Sequence, residues 1–186
     1  MTEIQHRKIW GRRQGRPLKD GQKQLLKDLL PQVEIILPSP EQEESISIVP
    51  QSFFSDKSQF CLEIGFGGGE HLAWRAERSP SIGFFGCEPF ITGVASLLGH
   101  MVEHQLSNIR IVHDDARLFV KVLPEACLDR IYILFPDPWP KKRHNKRRIV
   151  HDETIGDYAR ILKKGGEINY GNRYWGLCPV DARGFG

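Results

Sequence analysis

Phe60-Cys-Leu-Glu-Ile-Gly-Phe-Gly-Gly-Gly-Glu70 is a short apolar run that breaks into four glycines. The run Phe60–Ile64 has the length and composition of a buried strand, and Gly69–Arg78 behind it reads as a helix. Glycines at a strand-to-helix turn let the backbone come close to a ligand. A unit of this kind opens an open α/β sheet only if strands and helices keep alternating after it, and they do. Gly83–Cys87 is a second strand, followed by a helix from about Ile91 to Gln105. Ile109–Val112 is a third strand, with a helix near Ala116–Leu123. Asp129–Phe135 is a fourth, and a helix from about Asp152 is expected to end at Lys163-Lys-Gly-Gly166, where cations and glycine suit a helix C-terminus. Glu167–Tyr170 starts a fifth strand. Repeated alternation implies a mostly parallel sheet with helices on both faces.

Upstream the pattern is different. Residues 1–40 are basic (His6-Arg-Lys8, Arg12-Arg13, Arg16, Lys19), then loosely helical around Gln22–Leu30 until Pro31, Pro38 and Pro40 interrupt. A partly ordered arm is expected here, then a polar lead-in with one short strand at Ile46–Val49. This divides the chain into a basic arm and lead-in over 1–58, the α/β domain over 59–170, and a tail over 171–186.

A chain of 186 residues can hold one domain with a substantial core. Net charge is only +3, so attraction to a polyanion must come from local clustering of cations. The four cysteines, Cys61, Cys87, Cys127 and Cys178, form no C-x-x-C pair. They read as buried or incidental thiols in a reducing compartment, not as a disulfide frame or a metal site. No apolar stretch approaches a membrane span, and the start is too charged for a signal peptide. The expectation is a cytoplasmic protein without metal or membrane partner, and a monomer.

The glycine turn also says what it would hold. The dinucleotide fingerprint needs a third glycine three residues after the second, and neither register of Gly65, Gly67 and Gly69 supplies one: the position falls on Glu70 or Leu72. Carboxylates on both sides, Glu63 and Glu70, make a poor cradle for a pyrophosphate. They suit a ligand with an ammonium or sulfonium and no phosphates, such as S-adenosylmethionine. Glu88 ends the second strand 23 positions after Gly65, where an acid would take the two ribose hydroxyls of an adenosyl group. His113-Asp-Asp-Ala116 brings Asp115 to the end of the third strand, near where the adenine amino group would lie. A strand-end acid is also a common helix cap.

The fourth strand runs into Pro136-Asp-Pro-Trp-Pro-Lys-Lys-Arg-His-Asn-Lys-Arg-Arg148. Proline cannot donate to a sheet ladder and restricts its predecessor, so the strand ends and the chain turns. Asp137 and Trp139 are thereby held at the carboxyl edge, where open α/β sheets bind ligands. A carboxylate, a stacking aromatic and a dense cationic run are what an enzyme acting on a nucleic-acid base needs side by side. Each part has a plainer reading: a turn, a core tryptophan, a solvated face.

Three segments together closely resemble the bacterial tRNA (guanine-N7)-methyltransferase family, whose members methylate guanine 46 in the tRNA variable loop. They are Trp10-Gly-Arg-Arg-Gln-Gly-Arg16, Glu63-Ile-Gly-Phe-Gly-Gly-Gly69 and Phe135-Pro-Asp-Pro-Trp-Pro-Lys-Lys-Arg-His-Asn-Lys-Arg-Arg-Ile149. The resemblance implies a Rossmann-like class I S-adenosylmethionine-dependent methyltransferase fold with tRNA as partner. It places Glu63, Glu88, Asp115 and Asp137 on cofactor-contacting positions beside Gly65 and Gly67. It also makes Asp137 the catalytic residue and Lys141 a substrate contact. The RNA-contacting run would be Arg143, His144, Asn145, Lys146, Arg147 and Arg148.

The likeness stops after Gly166. The family expects a strand ending in Ala-Thr-Asp and a further C-terminal segment; here Ile168-Asn-Tyr-Gly-Asn-Arg-Tyr-Trp175 follows, with Arg173 at the expected Asp. Codons allowed for Gly171–Ala182, read one base later, spell Ala-Thr-Asp-Ile-Gly-Asp-Tyr-Val-Arg-Trp-Met. The expectation is a truncated or frameshifted C-terminus with the last strands missing, leaving a chain of low solubility and low activity. Two other functions stay open on the residues alone. One is an amino-methyltransferase on adenine or cytosine, whose Asp-Pro-Pro-aromatic signature is similar to Asp137-Pro-Trp139. The other is an RNA-binding remnant without catalysis.

Overall fold

The structure, a computed structural model, describes residues 17–39, 47–136 and 148–171. Among the described residues five strands, β1 (Gln59–Ile64), β2 (Ile82–Cys87), β3 (Ile109–Val112), β4 (Leu128–Leu134) and β5 (Leu162–Gly171), form one sheet in the order β3-β2-β1-β4-β5. Every pairing is parallel. Crossover helices make this possible: α3 (Glu70–Arg78), α4 (Ile91–Glu103), α5 (Ala116–Val122) and α6 (Asp152–Ile161).

Because side chains alternate along a strand, each strand feeds two cores. In β1, Phe60, Leu62 and Ile64 join Phe119, Val120, Tyr158 and Ile161 from α5 and α6. Cys61 points the other way, with Leu72, Ala76, Leu97 and Leu98 from α3 and α4. A strand buried on both faces reads as an unbroken apolar run, which is what the sequence shows. Cys61, Cys87 and Cys127 are buried and unbridged. Burial pushes the thiols of Cys61 and Cys127 up to about 11, so neither is a nucleophile or a ready metal ligand.

The lead-in is part of this packing. α1 (Asp20–Asp28) continues after a break at Leu29 into the short α2 (Leu30–Val33), with Pro31 in the first turn, where a missing N–H costs nothing. Glu34 then bridges in parallel to Ile111, and the Ile35 N–H donates to Ile111 O at 2.8 Å, covering the β3 edge. The short strand expected at Ile46–Val49 is not formed by Ser47–Val49; the Ile48 N–H donates instead to Val122 O at the end of α5 (2.7 Å).

The end of α6 also differs from expectation. The helix stops at Ile161, because Leu162 is already extended (φ −77°, ψ 137°). The carbonyls of Arg160 and Ile161 accept from the backbone N–H groups of Ala126 and Cys127, at 2.9 and 2.8 Å, so tertiary contacts cap the helix. Lys163-Lys-Gly-Gly166 is therefore a bulge inside β5: Leu162 pairs with Leu128, and pairing resumes with Glu167 opposite Arg130. Gly165 carries it at φ +82°. Along the edge strand β5, Ile168 and Tyr170 share one face of the sheet and are exposed. No helix among the described residues is long and apolar enough to cross a membrane.

Candidate cofactor and nucleic-acid site

Since all five strands are parallel, their carboxyl ends share one edge of the sheet. Gly65 N–H donates to Cys87 O (2.8 Å) and Glu88 N–H to Val112 O (3.1 Å), so the ends of β1, β2 and β3 stay in step. The chain then climbs through the glycine turn with Gly65 at φ +70°, Gly67 at +57° and Gly69, the N-cap of α3, at +84°. Side chains rarely adopt this region, which is why glycine is needed. A Cβ on Gly65 or Gly67 would meet nothing within 4 Å. The turn therefore presents bare backbone to open space, as a cradle must.

Glu88 is held firmly against this turn. It is 4% exposed, and its carboxylate accepts from Gly67 N–H at 2.8 Å and Phe90 N–H at 3.0 Å. On α4, a Cβ at Gly93 would overlap Gly67 O and stand 3.0 Å from Glu88 Cγ. The start of α4, the glycine turn and Glu88 are thus packed as one body.

Glu63 is 3% exposed and lies on the α3 side of β1, where His71 Nδ1 is 2.6 Å from its Oε2. Burial raises the Glu63 pKa, and the His71 hydrogen bond is the strongest of the influences lowering it again. The His71 ring packs edge-on against Tyr132, 5.2 Å between centroids, and the Arg75 guanidinium donates to the Tyr132 hydroxyl. Asp115 is the N-cap of α5: its Oδ1 accepts from Arg117 N–H at 3.0 Å, and both oxygens accept from the Arg117 side chain. The helix-cap reading of this acid thus has a structural basis.

At the end of β4 the backbone turns at Phe135, which has φ +50° and is 41% exposed. A positive φ in a phenylalanine is rare and marks a constrained turn, here set directly before Pro136. The Phe135 N–H donates to Gly171 O (2.8 Å), tying the turn to β5. Asp137, Trp139, Lys141, Arg143, His144, Asn145, Lys146 and Arg147 lie outside the described residues. The chain is described again from Arg148, which is partly buried. Ile149 and Val150 pack on the core, and the Tyr158 hydroxyl donates to Ile149 O at 2.8 Å. His151 then opens α6 with a reciprocal bond to Thr154. Both ends of the segment 137–147 are therefore anchored at the carboxyl edge. A separate cavity of about 310 Å³ opens at the opposite, amino-terminal edge, lined by Gln59, Asp129, Lys163 and Glu167; it is remote from the glycine turn.

A family described as "Putative methyltransferase" matches residues 57–171. Over 172 residues the chain is 47% identical to a tRNA (guanine-N(7)-)-methyltransferase of Zymomonas mobilis, covering 92% of this chain and 71% of the relative. Proteins of the same name from Paramagnetospirillum magneticum and Agrobacterium fabrum are each 44% identical, covering 87% and 86% of this chain and 67% of each relative. The chain belongs to the bacterial tRNA (guanine-N7)-methyltransferase family. Among solved structures, the 16S rRNA methyltransferase KamB aligns at 16% identity with a TM-score of 0.49, covering 63% of this chain and 54% of that one.

Within this methyltransferase, three residues that pattern reading passed over shape the edge. His71 is the partner of Glu63, Gly93 is the close approach that seats α4 on the glycine turn, and Phe135 sets the turn before Asp137. Only Gly93 leaves a trace in sequence, as a helix-interior glycine with no local reason to be there.

Proposed function

We propose that this chain transfers a methyl group from S-adenosylmethionine to N7 of guanine in tRNA, at position 46 of the variable loop. The carrying observation is the shared edge: an open glycine turn, flanked by two buried carboxylates, lies beside the strand end that leads into Pro136-Asp137 and the cationic run. The residues fit the cofactor. Bare glycine backbone suits close approach, and a donor set of carboxylates suits a cationic ligand without phosphates. Once bound, the cofactor supplies a sulfonium-activated methyl.

The chain's own residues position and stabilise. Glu88 takes the ribose hydroxyls, and its bonds to Gly67 and Phe90 keep it aimed. Glu63, held by the His71 hydrogen bond, sets a carboxyl group at the base of the turn. Asp115 lies toward the adenine amino group from its place at the head of α5. Guanine N7 already carries a lone pair, so it attacks without losing a proton and needs no strong base; orientation does most of the work. The purine becomes cationic as N7 is alkylated, and Asp137 stabilises that charge. Trp139 stacks on the splayed base. Lys141 contacts the substrate, and Arg143 to Arg148 grip phosphates, which makes binding salt-sensitive. The catalytic domain in this reading is residues 59–170, with residues 1–58 as arm and lead-in and 171–186 as a tail.

The test is mass spectrometry of tRNA incubated with the chain and S-adenosylmethionine. 7-Methylguanine at position 46 is the expected product. N6-methyladenine or N4-methylcytosine would make it an amino-methyltransferase instead. Bound tRNA with no modified base and no cofactor uptake by calorimetry would make it an RNA-binding remnant.

A further inference from the structure

We propose that the last turn of α4 carries a site for one divalent transition-metal ion of the zinc class, built by His100, Glu103 and His104 and backed by Glu77 of α3. Each of the three brings one ligand atom within 4.8 Å of the other two. His100 and His104 are four residues apart on one helix, so their rings lie on the same face; the centroids are 6.4 Å apart. The pattern His-Met-Val-Glu-His is a compact imidazole–carboxylate–imidazole set of the kind that zinc, nickel and copper take.

Two further observations point to an ion. The first is His100 Nε2, which is buried without a hydrogen-bond partner, although a buried ring nitrogen is ordinarily satisfied. A metal would satisfy it. The second is the orientation of His104. Its Nδ1 lies 3.2 Å from Glu77 Oε1, while its Nε2 lies 4.0 Å from Glu103 Oε2. Glu77 accepting from Nδ1–H fixes the tautomer that leaves a lone pair on Nε2, facing Glu103. A carboxylate–histidine–metal relay has this form, with the outer carboxylate raising ligand basicity and fixing the ring. Tetrahedral zinc at its usual ligand distances needs donors roughly 3.3–3.4 Å apart, so closing the set takes side-chain adjustments of about 1 Å. A water completes the shell on the solvent side.

Charge is matched as well. Glu77 and Glu103 together offset a dication, and Arg78 touches only the other oxygen of Glu77, at 3.3 Å. The ion would pin the C-terminal turn of α4 to α3. It would lie roughly 10–16 Å along the helix from Gly93, where α4 meets the glycine turn. The site is thus structural and separate from methyl transfer.

Isothermal titration of the full chain with zinc chloride, in a non-chelating buffer, tests this. One ion per chain with micromolar affinity is expected, together with a rise in melting temperature, since an ion bound only to the folded state stabilises it. His100→Ala and His104→Ala should each weaken binding at least ten-fold, and Glu77→Gln by about ten-fold, the usual effect of losing an outer carboxylate. Cobalt(II) adds a spectroscopic readout: a tetrahedral absorption band in the wild type, lost in the His100→Ala/His104→Ala double variant. Circular dichroism verifies that the variants fold; His104 is exposed, so its variant tests the site even if His100→Ala does not fold. Zinc binding unchanged in the double variant, or no binding by the wild type, overturns the proposal.

Discussion

His71 Nδ1 lies 2.6 Å from Glu63 Oε2, joining the first turn of α3 to the end of β1 at the base of the glycine turn. Glu63 is almost fully buried, and a buried carboxylate resists ionisation unless something offsets the lost hydration. Desolvation raises its pKa above the ordinary 4.5, and the hydrogen bond and charge of His71 oppose that rise, with Arg75 helping and Glu70 hindering. The pair therefore decides whether the acid beside the turn carries charge.

A pH dependence follows from that balance. Between the ordinary value near 4.5 and the raised folded value, the folded chain holds a proton on Glu63 that the unfolded chain has lost. Stability contributed at this site is therefore present at lower pH and falls as pH rises through the window. His71→Ala removes the largest opposing influence, so the window extends upward and the decline continues toward neutral pH. The variant should also lose about 1–3 kcal/mol at pH 7, the cost of a buried group left without its partner. Urea unfolding at several pH values should show a steeper slope for His71→Ala than for wild type, and no added slope from His71→Ala in a Glu63→Gln background. Parallel curves for wild type and His71→Ala would remove the coupling.

Glu88→Ala should weaken S-adenosylmethionine binding by about 1.5–3 kcal/mol, the range for hydrogen bonds to a charged group. That is roughly 10- to 150-fold in the dissociation constant. Loss of the Gly67 N–H bond should also lower the melting temperature, because Glu88 is itself part of the turn. Calorimetric titration gives the dissociation constant directly; an unchanged value would leave Glu88 a purely structural brace.

Two glycines of α4 should respond in opposite ways. Gly93→Ala drives a Cβ into Gly67 O, a backbone atom that cannot rotate away, so either the turn or the helix must shift. A loss of about 1–3 kcal/mol in stability is expected from the overpacking, with weaker cofactor binding if the displaced turn is the cradle proposed above. At Gly99 a Cβ meets nothing within 4 Å. Gly99→Ala should stabilise by up to about 1 kcal/mol, as alanine does in a helix interior, and leave cofactor affinity alone. Thermal melts with and without cofactor separate the two, and equal effects at both positions would contradict the close approach.

These residues also show what the sequence could disclose. Strands β1 to β4 were legible because parallel strands covered on both faces are short apolar runs with helices between, and Ile109–Val112 stands where the pattern put it. Lys163-Lys-Gly-Gly166 misled because cations followed by glycine serve a helix C-terminus and a strand bulge equally well. The choice between them lies with the N–H groups of Ala126 and Cys127, far away in the chain. Glu63 and Glu88 could be singled out as strand-end acids, but not that one is gripped by His71 and the other by Gly67. Those partners depend on which way a helix faces and how tightly it seats. Asp115 shows the limit from the other side: one position satisfies both a cap rule and a cofactor rule, and the structure adds the Arg117 ion pair.

Chemistry and RNA grip should come apart by mutation at the β4 edge. Asp137 follows the positive-φ turn at Phe135 in sequence, and in the proposed mechanism its charge acts only as the purine becomes cationic. Asp137→Asn should cut methyl transfer by about 10²–10³-fold, the cost of removing one aimed electrostatic group, while tRNA affinity changes little. Neutralising Lys146, Arg147 and Arg148 together should do the reverse at saturating tRNA. Affinity would drop, and the slope of log affinity against log salt would flatten by about 0.7–0.9 for each phosphate no longer neutralised. The step at saturation should persist, since N7 needs no base and the proposed cofactor cradle draws on β1, β2 and α4, away from the cationic run in sequence. Filter binding over a salt series, paired with single-turnover methylation, measures both quantities. An unchanged salt slope would make the cationic run a solvated surface, and full turnover by Asp137→Asn would take that carboxylate out of the reaction.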